Sequence, residues 1–359
     1  MKKIAFAASM LGVSLSVHAQ SSVTLFGQLD EGLAYVTNEG GKHLTALQDS
    51  FAFPSVFGFQ GTEDLGGGTK AVFQLVSQFS VGTGALISPG TLFSRVALVG
   101  LNNENYGKLT LGNQYSFMND SLLFAGYDGS YNYGGLYNLR QGPFAKLGIP
   151  QNPTGAFEFD GLGAPGVNNT VKYVSPNFHG FSAGADYGLG GVAGSFNADR
   201  SMSFGFNYQG TNFSAAVAYL EKRYSSLDNG LDGIRNFGAG VKYNLYNVTL
   251  SALFTDTQNT LTGGKVWVVQ GGAQRWLTDT WLLGANYQYM KGNSQLNNNK
   301  ANQVSVGLQY WLSKRTDIYL MSAFQQAGGD GPAYARINGL SQSSSSRQTA
   351  VNIGLATRF

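Results

Sequence analysis

The chain has 359 residues, no cysteine, 50 glycines and 8 prolines, and its formal net charge is +3. The lack of cysteine excludes a scaffold held by disulfides, and the small net charge gives no reason to expect a nucleic-acid or polyanionic partner. Charged residues make up only 12% of the chain and aromatic residues 13%. This composition favours strands, tight turns and polar loops over helices.

The amino terminus has the pattern of a secretory signal. Lys2 and Lys3 precede an apolar stretch at 4–17, and small residues up to Ala19 occupy the positions that signal peptidase reads. We expect a signal peptide at 1–19 and a mature protein of one domain at 20–359. Removing two of the 23 basic residues leaves 21 against 20 acidic ones, a net charge of about +1.

Sixteen segments after the signal show two-residue alternation or enrichment in β-branched and aromatic residues. They lie at 22–31, 52–62, 69–80, 92–102, 107–115, 169–176, 181–188, 201–209, 213–222, 235–244, 247–256, 265–275, 281–291, 301–311, 316–326 and 348–359. No apolar run among them approaches the roughly 18 to 20 residues of a transmembrane helix. A chain that spans a membrane with such strands must close them into a barrel, because lipid cannot satisfy an open sheet edge.

The connections between these segments alternate between short and long. Seven short ones carry turn residues, and eight long ones lie near 32–51, 81–91, 116–168, 189–200, 223–234, 257–264, 292–300 and 327–347. Short periplasmic turns and longer external loops are typical of outer-membrane barrels. The sequence therefore predicts an all-β protein, a 16-stranded antiparallel transmembrane β-barrel.

The third long connection, 116–168, is far longer than loops normally are without a function of their own. The interior of so wide a barrel holds either water or an inserted segment, and we expect this third external loop to fold into the lumen and narrow it. Its glycine-rich run carries the aromatic residues Phe124, Tyr127, Tyr131, Tyr133 and Tyr137. Either they form a stacking surface for a sugar or an aromatic solute, or they pack the loop against the inner wall.

The last nine residues, VNIGLATRF, predict the strand that closes the barrel. Ile353, Leu355 and Phe359 lie on one face of an extended strand, with mostly small or polar residues on the other. A two-faced strand with an aromatic carboxy-terminal residue suits a barrel that has lipid on one side and water on the other. We expect these three residues to serve barrel closure and recognition by the barrel-assembly machinery.

Six segments resemble the general porins of beta-proteobacteria. They are SSVTLFGQLDEGLAY, FGFQGTEDLGGGTKAVFQL, LFSRVALVGL with KLTLGNQY, NNTVKYVSPNFHGFSAGADY, YWLSKRTDIY and SSSSRQTAVNIGLATRF. The resemblance runs from the first strand to the last residue. It implies a homotrimer in the outer membrane of a Gram-negative bacterium, surrounded by lipid, that passes ions and small hydrophilic solutes by diffusion and needs no cofactor.

The resemblance also places the tip of the constriction loop. The segment AFEFDG resembles the Pro-Glu-Phe-Gly-Gly signature of the family's loop tip, which assigns that role to Glu158, Phe159 and Gly161. Phe157 replaces the proline and Asp160 replaces the first glycine, which adds a carboxylate.

The wall opposite this tip differs from the family pattern. Arg95 is retained, but uncharged residues replace usual basic ones at Val56, Gln60, Asn113 and Gly166. The residues expected at the pore constriction are therefore Lys70, Arg95, Asn113 and Lys172 on the wall, and Asp120, Asp128, Glu158 and Asp160 on the loop. A constriction selects by width and by the sign of its charges. The losses predict a pore that is less anion-selective than its relatives, near neutral or weakly cation-selective.

Other classes of protein find less support in the residues. A hydrolytic barrel needs a base beside a nucleophile, and the mature chain has only His43 in an external loop and His179 in a turn. Without cysteine or a spaced histidine pair, no metal site is expected. A structural or adhesive barrel remains an alternative that conductance measurements distinguish from a channel.

Overall fold

The computed structural model describes residues 22–150, 159–163 and 166–359, apart from the side chains of Ser130 and Tyr131. The predicted signal at 1–19 lies outside the described residues, as do Phe157 and Glu158 of the predicted loop tip.

The described chain forms one antiparallel sheet of seventeen strand segments. They are β1 (Ser22–Glu39), β2 (Lys42–Asp49), β3 (Val56–Gly66), β4 (Thr69–Gln78), β5 (Val96–Asn103), β6 (Gly107–Gln114), β7 (Val167–Val174), β8 (Phe181–Gly188), β9 (Ser201–Gln209), β10 (Phe213–Arg223), β11 (Gly233–Leu245), β12 (Val248–Asn259), β13 (Lys265–Trp276), β14 (Trp281–Gly292), β15 (Lys300–Trp311), β16 (Thr316–Gly328) and β17 (Arg347–Arg358).

Short helical turns lie in the connections. They are Met118–Leu123, α1 (Ser130–Tyr133), Gly135–Asn138, Ala145–Leu147, Asp228–Gly230 and Ser294–Leu296. None of the helices in the described part of the chain is long and apolar enough to cross a membrane.

The seventeen segments fill sixteen positions around a closed ring. One edge of β1 pairs with β17, and its other edge pairs with β2 through residues 31–39 and with β3 through residues 22–28. β2 and β3 therefore follow one another along a single strand position, with a bend between them. The predicted 16-stranded antiparallel barrel is confirmed.

The predicted long connection at 32–51 is wrong. β1 continues to Glu39, and β2 returns from Lys42 after a turn at Gly40 and Gly41, whose φ angles are +60° and +99°. Alternation persists through both segments, with Leu47 on the outward face, so the hairpin extends the sheet. The predicted start of the fourth strand, at 92, is also too early, because β5 begins at Val96.

The two faces of the barrel differ in polarity. Large apolar side chains such as Phe204 and Leu320 are exposed on the outer face, whereas Ser203 and Gln303 point inward and are buried. Strands of outer-membrane barrels alternate in this way because one face meets acyl chains and the other meets the lumen.

Buried apolar clusters lie inside the ring, between its wall and the chain that connects β6 to β7. In one of them Met118 and Leu122 pack with Ala218 and Leu253. In another, Phe51 and Tyr137 pack with Tyr319 and Met321. These contacts position the β6–β7 connection.

Candidate functional site

The first part of the β6–β7 connection, residues 115–150, follows the inner wall across successive strands. Six of the side chains that hydrogen-bond to it are Ser203 on β9, Lys242 on β11, Ser251 on β12, Gln270 on β13, Gln288 on β14 and Gln303 on β15. All six belong to the inward face of their strands. Because buried polar groups need partners, this ladder of donors and acceptors fixes the path of the connection.

Arg140 holds together two parts of the connection that are distant in sequence. Its guanidinium pairs with the Asp128 carboxylate, lies 3.3 Å from Asp160 Oδ2 through Nε, and donates to Gln270 Oε1 on the wall. The side chains of the two acids and of Arg140 are 0% exposed. Burial raises the pKa of Asp160, and the nearby guanidinium opposes that shift. We call Arg140, Asp128 and Asp160 the loop anchor.

The loop anchor changes the interpretation of two predicted residues. The sequence predicts that Asp128 and Asp160 face the water of the channel, whereas the structure buries both side chains around Arg140. The physical reason is Arg140, which compensates charges that would otherwise be costly to bury. Arg140 is not among the predicted site residues, although it is the only basic residue between 116 and 145.

The described part of the predicted loop tip is also packed against the wall. Phe159 is buried edge-on against Phe144, with ring centroids 5.6 Å apart, and its carbonyl accepts a hydrogen bond from Asn236 Nδ2 at 3.1 Å. Gly161 has φ +79° and approaches Asn236 so closely that a Cβ would lie 3.1 Å from Oδ1. The left-handed conformation there favours glycine.

One predicted wall residue and one predicted loop residue do meet. Lys172 on β7 forms an ion pair with Asp120 of the connection and donates to the Tyr115 carbonyl at 2.7 Å. Its Nζ also lies 4.5 Å above the Phe117 ring. Wall and connection thus neutralise each other's charge here.

Arg95 directly precedes β5 and lies near Asn113 of β6, but the two side chains differ in their hydrogen-bond partners. Arg95 Nε donates to Gln78 Oε1 at 2.6 Å, and the side chain is half-buried. Asn113 Nδ2 donates to the backbone carbonyls of Phe93 and Ser94, at 3.4 and 3.2 Å. A Cβ at Gly166 would lie 2.2 Å from Asn113 Oδ1, which leaves no room for a side chain there.

Lys70 lies apart from these residues. It is exposed and lies opposite Asp64 in the β3–β4 register, next to the turn at the short-turn end of the barrel. The structure therefore does not bring it together with Arg95 or Lys172.

A cavity of about 270 Å³ lies between the connection and the wall. We call it the Arg95 cavity. Its polar lining consists of the side chains of Arg95, Gln78, Asp49, Ser50 and Asn119. Its apolar and aromatic lining includes Phe51, Phe53, Ile87, Tyr115, Leu123, Phe124, Leu136 and Leu139. Of the aromatic run, Tyr127, Tyr133 and Tyr137 are buried, which is the packing role weighed from the sequence. Phe124 is 47% exposed.

A closed sixteen-strand barrel that is apolar outside and polar inside defines an outer-membrane channel. The chain belongs to the Gram-negative porin family, whose family model matches residues 5–330. It is 30% identical to outer membrane porin protein 32 of Delftia acidovorans, covering 90% of this chain and 89% of that one. It is 26% identical to an outer membrane porin protein of Bordetella pertussis over the full length of both.

The fold agrees with these relatives. The solved anion-selective porin from Comamonas acidovorans superposes with a TM-score of 0.78 at 26% identity, covering 95% of this chain and 100% of that one. The protein is therefore a channel of the Gram-negative outer membrane for passive diffusion of small solutes, and it is not an enzyme.

Proposed function

We propose that the β6–β7 connection folds into the lumen as the channel's constriction, and that ions and small hydrophilic solutes pass between it and the wall around Arg95. The observation that carries this proposal is the loop anchor, since an ion pair buried against Gln270 holds the connection at the inner wall. The ladder of hydrogen bonds from β9 to β15 supports the same placement.

A cysteine scan tests this constriction, because the natural chain has no cysteine to interfere. Phe124→Cys places a thiol on the proposed water path, and Tyr246→Cys places one on the fully exposed β11–β12 turn. A bulky charged thiol reagent should lower the single-channel current of the first variant and leave that of the second unchanged. Equal responses of the two variants would contradict the proposal.

We also propose that the pore is less anion-selective than its relatives. Lys172 is paired with Asp120, and Arg140 lies between two carboxylates, so most of these charges cancel locally. Three positions at which the family usually has a basic residue are uncharged here. Val56 lies in an apolar cluster, Asn113 donates to a backbone carbonyl, and Gly166 has no side chain. Only a small net field should therefore act on a passing ion.

We further propose a homotrimer that is inserted by the barrel-assembly machinery and surrounded by outer-membrane lipid. Glu31 lies on the outward face of β1, two residues from the exposed Leu33, and a Cβ at Gly82 of the β4–β5 connection would lie 3.5 Å from its Oε2. A carboxylate and a polar loop suit a face covered by protein better than one covered by acyl chains. Light scattering of the detergent-solubilised protein should give three times the monomer mass, and a monomer would overturn this proposal.

A further inference from the structure

The Arg95 cavity has an unusual distribution of polarity for a water-filled passage. Its walls are mainly apolar, with Leu123, Phe124, Leu136 and Leu139 from the connection and Phe53 from the bend between β2 and β3. Arg95 is the one cation in its lining among the described residues. A pocket with apolar walls and one well-placed charged group selects ligands that are amphiphilic.

The Arg95 guanidinium has hydrogen-bonding capacity left for a ligand. Its Nε donates to Gln78 Oε1, and the side chain lies beside the Tyr115 hydroxyl. No carboxylate within the described part of the chain forms an ion pair with it. A guanidinium carries five N–H donors in a planar fork that matches a carboxylate.

An aromatic surface lies beside this charge. The Phe124 ring is half-exposed and meets the Tyr115 ring edge-on, with centroids 4.9 Å apart. Since Tyr115 contacts both Phe124 and Arg95, the ring and the guanidinium flank the same space. An aromatic solute face placed there would remove apolar surface from water.

We propose that the Arg95 cavity is a subsite for single-ring aromatic monocarboxylates, with the carboxylate on Arg95 and the ring against Phe124. The proposal rests on the channel function proposed above and names a solute class for it. A cavity of about 150 Å³ holds one benzene ring, so about 270 Å³ accommodates the ring with its carboxylate. Asp49 also lines the cavity, and its charge disfavours a second carboxylate on the solute.

Benzoate is the probe for the first test, in single-channel recordings of the purified full protein in potassium chloride. Benzoate should interrupt the current at concentrations at which acetate, benzyl alcohol and benzylammonium do not. These three controls remove the ring, remove the charge and reverse the charge, respectively. Equal block by benzoate and acetate, or by benzoate and benzyl alcohol, would overturn the subsite.

Variants then assign the two halves of the subsite. Arg95→Gln should weaken the benzoate block by about tenfold, as expected for loss of a charge-assisted hydrogen bond. Phe124→Ala should weaken it by about fivefold through loss of the ring contact. Arg275→Gln and Phe196→Ala are matched controls, because both residues are exposed and lie outside the lining of the cavity. Benzoate should block the current of both control variants as strongly as it blocks that of the natural protein.

The failures of the two proposals are distinguishable. If the natural protein conducts potassium chloride but benzoate does not block it, the proposed channel function stands and the proposed subsite is overturned. A protein that inserts and shows no conductance overturns both. Loss of heat-modifiable mobility on a gel identifies a variant that has not folded. If Arg95→Gln does not fold, Arg95→Lys replaces it. The benzoate block should still be weaker than in the natural protein, because lysine lacks the planar fork of arginine.

Discussion

Gly27 and Phe359 exchange both of their backbone hydrogen bonds, with N–O distances of 3.1 and 3.0 Å. The Phe359 ring lies directly over Gly27, so that a Cβ on Gly27 would lie 2.4 Å from the ring carbon Cζ. The last residue of the chain is thereby joined to the first strand, which removes the final open edge of the sheet.

Gly27→Val should impair barrel closure. The new side chain meets both the Phe359 ring and the Val56 carbonyl, at 2.4 and 2.8 Å from its Cβ, and overpacking of this kind costs about 1–3 kcal/mol. The measurement is the yield of heat-modifiable, folded barrel after refolding into detergent. Gly271→Ala is the control, because no atom of the described residues lies within 4 Å of a Cβ there. Equal yields for the two variants would show that the contact is unimportant.

Arg140→Gln should loosen the constriction without opening the barrel. Removing one partner of a buried ion pair costs about 3–5 kcal/mol, and here Asp128 and Asp160 both lose their cation. We expect larger fluctuations of the single-channel current than in the natural protein. Arg235→Gln is the matched control, since that side chain is 50% exposed and its pair with Glu221 is worth less. A quiet Arg140→Gln channel would contradict the anchoring role.

Asp160 should make the loop anchor more stable at lower pH. Burial raises its pKa above the usual 3.8, so the folded state binds this proton more tightly than the unfolded state. Its contribution to stability is then fully present below 3.8 and is lost as pH rises through the raised pKa. Among the described residues, Arg140, Asp128, the Thr255 hydroxyl and the Leu162 backbone N–H face this carboxylate.

Current fluctuations recorded at a series of increasing pH values that starts below the usual 3.8 measure this effect. The fluctuations should increase with pH in the natural protein and should depend less on pH in Asp160→Asn. The asparagine amide oxygen can still accept a hydrogen bond from the Thr255 hydroxyl. If Asp160→Asn keeps the full pH dependence, another group is responsible.

Gln60→Lys should restore part of the anion preference. Gln60 pairs with Thr24 and Gln74 on the inward face and is exposed, so a lysine adds charge to the lumen at little cost in folding. The reversal potential in a potassium chloride gradient should move toward chloride. Asn247→Lys adds the same charge on the exposed β11–β12 turn, where it should have a smaller effect.

The sequence predicted the sixteen strand positions because alternation is a local property of each strand. It failed at 32–51, where two strands continue beyond the apolar band and carry polar residues such as Glu39 and Lys42. Hydrophobic enrichment weakens there, although Glu39 and Lys42 still pair across the turn.

The constriction was less predictable for a different reason. Whether Asp128 faces water or Arg140 depends on how a long connection packs against the strands, and no local pattern encodes that path. The sequence predicts Lys172 on the wall and Asp120 on the loop, and the structure joins the two in an ion pair. Their meeting could be expected, whereas their mutual neutralisation required the structure.

The reversal potential of the natural protein tests the central claim, a water-filled channel whose constriction charges largely cancel. Potassium and chloride have nearly equal mobilities, so a tenfold potassium chloride gradient reports the charge selectivity of the pore. The limit for a perfectly selective pore is about 59 mV, and we expect less than about a quarter of it. A chloride-directed potential close to that limit would contradict the account.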